Sequence, residues 1–86
     1  MQAREELQKL IDALATQRDE LIVRAHLAKL EAQDEWRELE GKLDELRAKA
    51  KQAAEVAGEA AEDVRAAARL LAEEIGRGYE RLKRLF

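Results

Sequence analysis

The stretch WRELEGKLDELRAKAKQAAEVAGEAAEDVRAAARLL, Trp36 to Leu71, carries small or apolar side chains at spacings of three and four without a miss. They are Trp36, Leu39, Leu43, Leu46, Ala50, Ala53, Ala57, Ala60, Val64, Ala67 and Leu71. A 3,4 alternation is the pattern of a helix that buries a narrow seam against another helix. It predicts an all-α chain of long amphipathic helices in an antiparallel coiled coil or helical bundle, and a chemistry of association.

Working outward, an N-terminal seam runs through Leu7, Ile11, Leu14, Arg18, Leu21, Ala25, Ala28 and Ala32, widened by Leu10 and Ile22. At Ala28, Ala32 and Trp36 the step becomes four and four, an inserted stutter that locally unwinds a supercoil. A second stutter at Ala67, Leu71 and Ile75 leads into Tyr79, Leu82 and Phe86. Val23, Leu27 and Leu30 form a separate stripe, which predicts more than one helical neighbour around residues 21–30.

Composition agrees. No proline or cysteine occurs among the 86 residues, charged residues make up 41 %, and seventeen residues are alanine, which buries little area each. Long thin helices suit this composition better than a thick globule. A single domain, 1–86, is expected. Six pairs place Glu four residues ahead of Lys or Arg, from Glu5–Lys9 to Glu80–Arg84, each contributing about 0.2–0.5 kcal/mol to a helix.

Gly58 decides the topology. Bases at Lys49 and Lys51 precede it and acids at Glu59, Glu62 and Asp63 follow it, the signs that a helix end and a helix start prefer. Ala57, Ala60 and Val64 nevertheless keep phase across it, and no Ser, Thr or Asn cap is present. Continuity is narrowly favoured; the alternative is a hairpin of helix 1, 4–57, and helix 2, 60–85. An unbroken rod would extend roughly 120 Å at about 1.5 Å per residue.

Charge supports antiparallel pairing in either case. Residues 1–45 carry net −5, residues 46–63 net −1 and residues 64–86 net +3, so parallel chains would set like against like. A pairing axis near residue 58 sets Trp36 opposite Tyr79 and Glu80. It also runs acidic 31–45 along basic 69–86. The contact is within one chain in a hairpin and between two in a rod.

Catalytic chemistry lacks material. No Ser or Cys is present, and Thr16 and Tyr79 are the only hydroxyls. His26 has Ile22, Val23, Lys29 and Leu30 at helical neighbour positions, so it reads as a solvent or boundary residue. Glu31, Asp34, Glu35 and Glu38 read as a solvated acidic face. Gly76-Arg77-Gly78 is too short for a phosphate loop. The reading is therefore of a protein that is not an enzyme, with no catalytic, metal or cofactor site. A net acidic chain without stacking aromatics also argues against nucleic-acid binding.

The expected function is a structural or protein-interaction module acting through helical self-association, as an antiparallel dimer or a dimer of hairpins. Another helical protein is the further partner considered. The interface would be Leu7, Ile11, Leu14, Leu21, Trp36, Leu39, Leu43, Leu46, Val64, Leu71, Ile75, Tyr79, Leu82 and Phe86. Arg18, and Glu74 if the heptad runs on, interrupt the seam as charges that restrict register. The alternative is peripheral membrane-surface binding by the basic amphipathic segment 75–86, with Arg77, Arg81, Lys83 and Arg84 on the lipid. Met1-Gln2-Ala3-Arg4-Glu5-Glu6 offers no apolar signal core, so the cytoplasm is the expected location.

Lys42-Leu-Asp-Glu-Leu-Arg-Ala-Lys49, Gly58-Glu-Ala-Ala-Glu-Asp-Val-Arg65 and Gly78-Tyr-Glu-Arg-Leu-Lys-Arg-Leu-Phe86 follow one another in that order. The order resembles a family of small bacterial coiled-coil proteins labelled stress-response-like, with Ala61 standing where that family often has Trp. The resemblance implies a helical, non-enzymatic protein, transfers no active-site residue and adds weight to a break at Gly58.

Overall fold

The computed structural model describes residues 3–56 and 58–85, with side chains from Glu6 onward. It is an all-α three-helix bundle: α1 spans Ala3–His26, α2 Leu30–Glu55 and α3 Glu59–Leu85. The helices run up, down and up in a body 45 × 18 × 15 Å. The roughly 120 Å rod is thereby excluded, and the single helix over 4–57 is corrected to two. The predicted second helix, 60–85, corresponds closely to α3.

The break after α1 falls inside the Ala28–Ala32–Trp36 stutter, at Leu27-Ala28-Lys29. None of these residues is a helix breaker, so hydrogen bonding has to hold the turn. The Leu27 and Ala28 N–H groups donate to Arg24 and Ala25 carbonyls at 3.2 and 3.3 Å, closing α1 with a tighter turn. Lys29 is extended, at φ −64° and ψ 158°, and its carbonyl accepts from the Gln33 N–H. The Gln33 side-chain amide then donates back to the carbonyls of Ala28, at 2.9 Å, and His26, at 3.4 Å. One side chain on α2 thus satisfies acceptors left open at the end of α1.

At the second break Gly58 adopts φ +69°, a left-handed conformation that a Cβ disfavours. Its carbonyl accepts from the Ala61 and Glu62 N–H groups and opens α3. Crossing it resets the helical phase. Ala61 and Ala68 are buried, whereas Ala60 and Ala67, placed on the seam by unbroken counting, are exposed.

α3 is the central partner. It packs most extensively on α2 and then on α1, while α1 and α2 touch least. The α2–α3 pairing has the expected axis. Trp36 and Tyr79 lie with ring centroids 5.9 Å apart, Arg81 Nε donates to Glu35 Oε1 at 3.0 Å, and Lys42 pairs with Glu74. Leu39 packs directly over buried Gly78: a Cβ added there would lie 3.2 Å from Leu39 Cγ and closer still to both methyls. This contact lets the backbones of α2 and α3 approach.

Candidate functional site

The seam is buried within one chain. Leu7, Ile11, Leu14, Leu21, Trp36, Leu39, Leu43, Leu46, Leu71, Ile75, Tyr79 and Leu82 join a single core with Ala25, Ala32, Ala68 and Ala72. Val64 is half-buried and is not part of that core. Phe86, also placed at the interface, and Ala57, on the seam, lie outside the described residues. Burial inside the chain removes the physical reason for which these residues were expected to require a second chain.

The charges that interrupt the seam find partners across helices. Arg18 on α1 forks onto Glu40 on α2, with Nε to Oε1 at 2.5 Å and Nη2 to Oε2 at 2.9 Å. Hydrogen bonding to Glu40 raises the guanidinium pKa, outweighing partial desolvation. Both side chains stay partly solvated, so the pair orients α1 on α2 without a buried charge. Glu74 is likewise on the surface, and its hydrogen bond from Lys42 holds the carboxyl pKa below its ordinary value. Lys42 therefore reaches across to α3 instead of back to Glu38. The intrahelical ion pairs observed among the described residues are i,i+3 at Asp34–Arg37, Glu62–Arg65 and Glu80–Lys83, with a longer adjacent pair, Arg18–Asp19, at 3.8 Å; none is i,i+4.

Among the described residues two buried side-chain oxygens have no hydrogen-bond partner, Gln17 Oε1 and Tyr79 Oη. The Tyr79 hydroxyl lies near the Arg18–Glu40 pair. Burial, reinforced by the Glu40 charge and opposed by Arg18, pushes its pKa up to about 12. It is a core group held neutral and shielded from solvent.

His26 is exposed, as expected. The acidic face is split by ion pairs: Asp34 goes to Arg37 and Glu35 to Arg81. Among the described residues no group of three His, Asp or Glu side chains is arranged to hold a metal ion. No described helix is long and apolar enough to cross a membrane.

Segment 75–86 does not present its apolar face. Ile75, Tyr79 and Leu82 are fully buried, so the proposed lipid-facing side of that helix is occupied by the bundle. Arg81 and Lys83 are drawn into pairs with Glu35 and Glu80; Arg77 and Arg84 are exposed.

What remains uncovered is a different surface. The up-down-up path brings the end of α1, the 27–29 turn, the start of α2 and the end of α3 together. There Val23 is 66 % exposed, Leu27 84 %, Leu30 74 % and Leu85 63 %. An open cleft of about 550 Å³ is lined there by Arg24, Leu27, Ala28, Lys29 and Leu85. The stripe Val23, Leu27 and Leu30, expected to contact a second helical neighbour, is therefore corrected to a solvent-facing one. The chain turns at 27–29, and at this end the last turn of α3 brings Leu85 to the cleft beside Leu27 without covering it. Elsewhere, exposed Val56 and Leu70 stand away from this cluster. A second open cleft, of about 510 Å³, flanks α1 and α2 beside His26, Gln33, Trp36 and Glu40.

No family model matches the chain, and neither the curated proteins nor the solved structures give a match.

Proposed function

We propose that the protein is a structural, non-catalytic interaction module whose seam builds its own fold and whose apolar end docks. The observation that carries this reading is that Val23, Leu27, Leu30 and Leu85 are left in solvent at one end, with Leu27 and Leu85 lining one open cleft. Each would be more stable covered, and none is needed to close the core. An exposed apolar cluster rimmed by polar groups marks an interaction surface. The absence of Ser and Cys from the chain supports a role without nucleophilic chemistry.

Self-association changes its basis in this reading. An antiparallel dimer or dimer of hairpins is no longer required to keep the seam dry, since the chain's own helices cover it. A homo-oligomer or a second helical protein would have to use the outer surface, where four of the six large exposed apolar side chains among the described residues lie at 23–30 and 85.

Sedimentation equilibrium and circular dichroism on the whole chain test this. A helical monomer at low micromolar concentration is expected, and Leu27→Ser with Leu85→Ser should leave its melting unchanged. Loss of helix on dilution would show that the seam needs a second chain. Unfolding of the double variant would show that the end is part of the fold. Either result refutes the reading.

A further inference from the structure

We propose that the apolar end of the bundle seats on an anionic lipid surface, with Val23, Leu27, Leu30 and Leu85 entering the headgroup boundary and Arg24 and Lys29 on the phosphates. This deepens the docking-module reading and rests on it.

Charge selects the partner. The chain is net acidic, −3 overall, yet the charged residues lining the cleft at this end are the cations Arg24 and Lys29. Arg84 is exposed in the last turn of α3 directly before Leu85, next to Lys83, which pairs with Glu80. Glu31, in the first turn of α2, is the acid next to Leu30. Aliphatic side chains flanked by exposed cations are the arrangement that binds anionic bilayers. The apolar groups enter the boundary region, and each nearby Lys or Arg adds attraction to the negative surface.

Area and charge together disfavour a second copy as occupant. A symmetric end-to-end contact would set Arg24 and Lys29 against their own duplicates. Four side chains also cover less than the roughly 800 Å² per partner that a stable protein interface uses. A bilayer has neither limitation, because it takes a small apolar tip without a complementary shape. The bundle would then stand end-on, with the α2–α3 turn at Gly58 carried up to 45 Å away.

The mode differs from an in-plane amphipathic helix over 75–86. Here Ile75, Tyr79 and Leu82 stay in the core, and no unfolding accompanies binding.

The test is vesicle co-sedimentation of the full chain with phosphatidylcholine alone and with phosphatidylcholine containing phosphatidylserine. Retention is expected on the anionic vesicles only, weakening as salt is raised. Arg24→Glu with Lys29→Glu, and separately Leu27→Ser with Leu85→Ser, should each reduce binding roughly tenfold or more with helicity unchanged. Leu70→Ser, at an equally exposed leucine elsewhere on α3, should leave it unaltered. Absence of retention, or retention indifferent to both double variants, overturns the lipid partner. If the same variants instead abolish a concentration-dependent dimer, the occupant is a second copy and the proposal fails. In each case an intact monomeric helix on dilution leaves the docking-module reading standing, so the two failures are distinguishable.

Discussion

Replacing Tyr79 by Phe should stabilise the bundle, although Tyr79 lies at its centre. The ring is fully buried and packs on Trp36 at 5.9 Å, and both features survive in Phe. The hydroxyl is buried without a partner. Leaving a buried polar group unsatisfied costs about 1–3 kcal/mol, so its deletion should return about 1 kcal/mol after allowing for the small void left behind. The pH dependence gives an independent handle. The folded chain keeps the phenolic proton up to about pH 12, whereas the unfolded chain releases it near pH 10. Between these values the folded state binds the extra proton, so stability falls as pH rises through that window. A two-unit gap corresponds to roughly 2–3 kcal/mol. Lysine titration is common to both proteins and cancels in the comparison. Urea melts of wild type and Tyr79→Phe from neutral to strongly alkaline pH would measure both effects. The variant should be the more stable at neutral pH, and its advantage should widen above pH 10. A destabilisation of more than about 1 kcal/mol at neutral pH would refute the reasoning, because it would mean that the hydroxyl holds a productive hydrogen bond.

Glycines 41 and 78, on α2 and α3, should respond oppositely to alanine. Gly41 has open space around its Cα, so Gly41→Ala should gain about 1 kcal/mol in helix propensity, whereas the Leu39 clash should make Gly78→Ala lose about 1–3 kcal/mol; urea melts of both would show it. Gly58→Ala places a Cβ on a residue at φ +69° and should cost about 1 kcal/mol in thermal or urea unfolding. A double-mutant cycle on Arg18→Ala and Glu40→Ala should give a coupling of about 0.5–1 kcal/mol, since both groups stay partly solvated. No coupling would mean that the pair does not orient α1.

The α2–α3 half was legible because phase and charge point the same way. Trp36 against Tyr79 and Glu35 against Arg81 follow from a pairing axis near residue 58. The turn at Gly58 does not, because the same axis serves an unbroken helix paired with a second chain, and unbroken phase favoured that reading. The burial of Ala61 and Ala68 in place of Ala60 and Ala67 did not follow, because periodic counting carries phase through a glycine that resets it. The α1–α2 break was hidden in helix-favouring residues, Leu27-Ala28-Lys29. Its one sign, the four-and-four step through Ala28, Ala32 and Trp36, reads equally well as a straightened rod. The Gln33 amide that closes the turn acts through geometry no spacing rule reports. In the sequence Gly78 stands out only beside Gly76 and Arg77; its use as a seat for Leu39 depends on which helix lies opposite. Val23, Leu27 and Leu30 read as a contact stripe because apolar spacing marks a surface that prefers cover, without saying whether the chain supplies it.

The proposition beneath these readings is that one chain covers its own seam. Spin labels at Arg37 on α2 and Glu80 on α3, both exposed, measured pure and then diluted into unlabelled chain, test it most directly. A short separation, within the bundle's width of about 18 Å plus the label arms and unchanged on dilution, is predicted. A signal that disappears on dilution, or a separation near the roughly 65 Å spanned by 43 residues of unbroken helix, would contradict it.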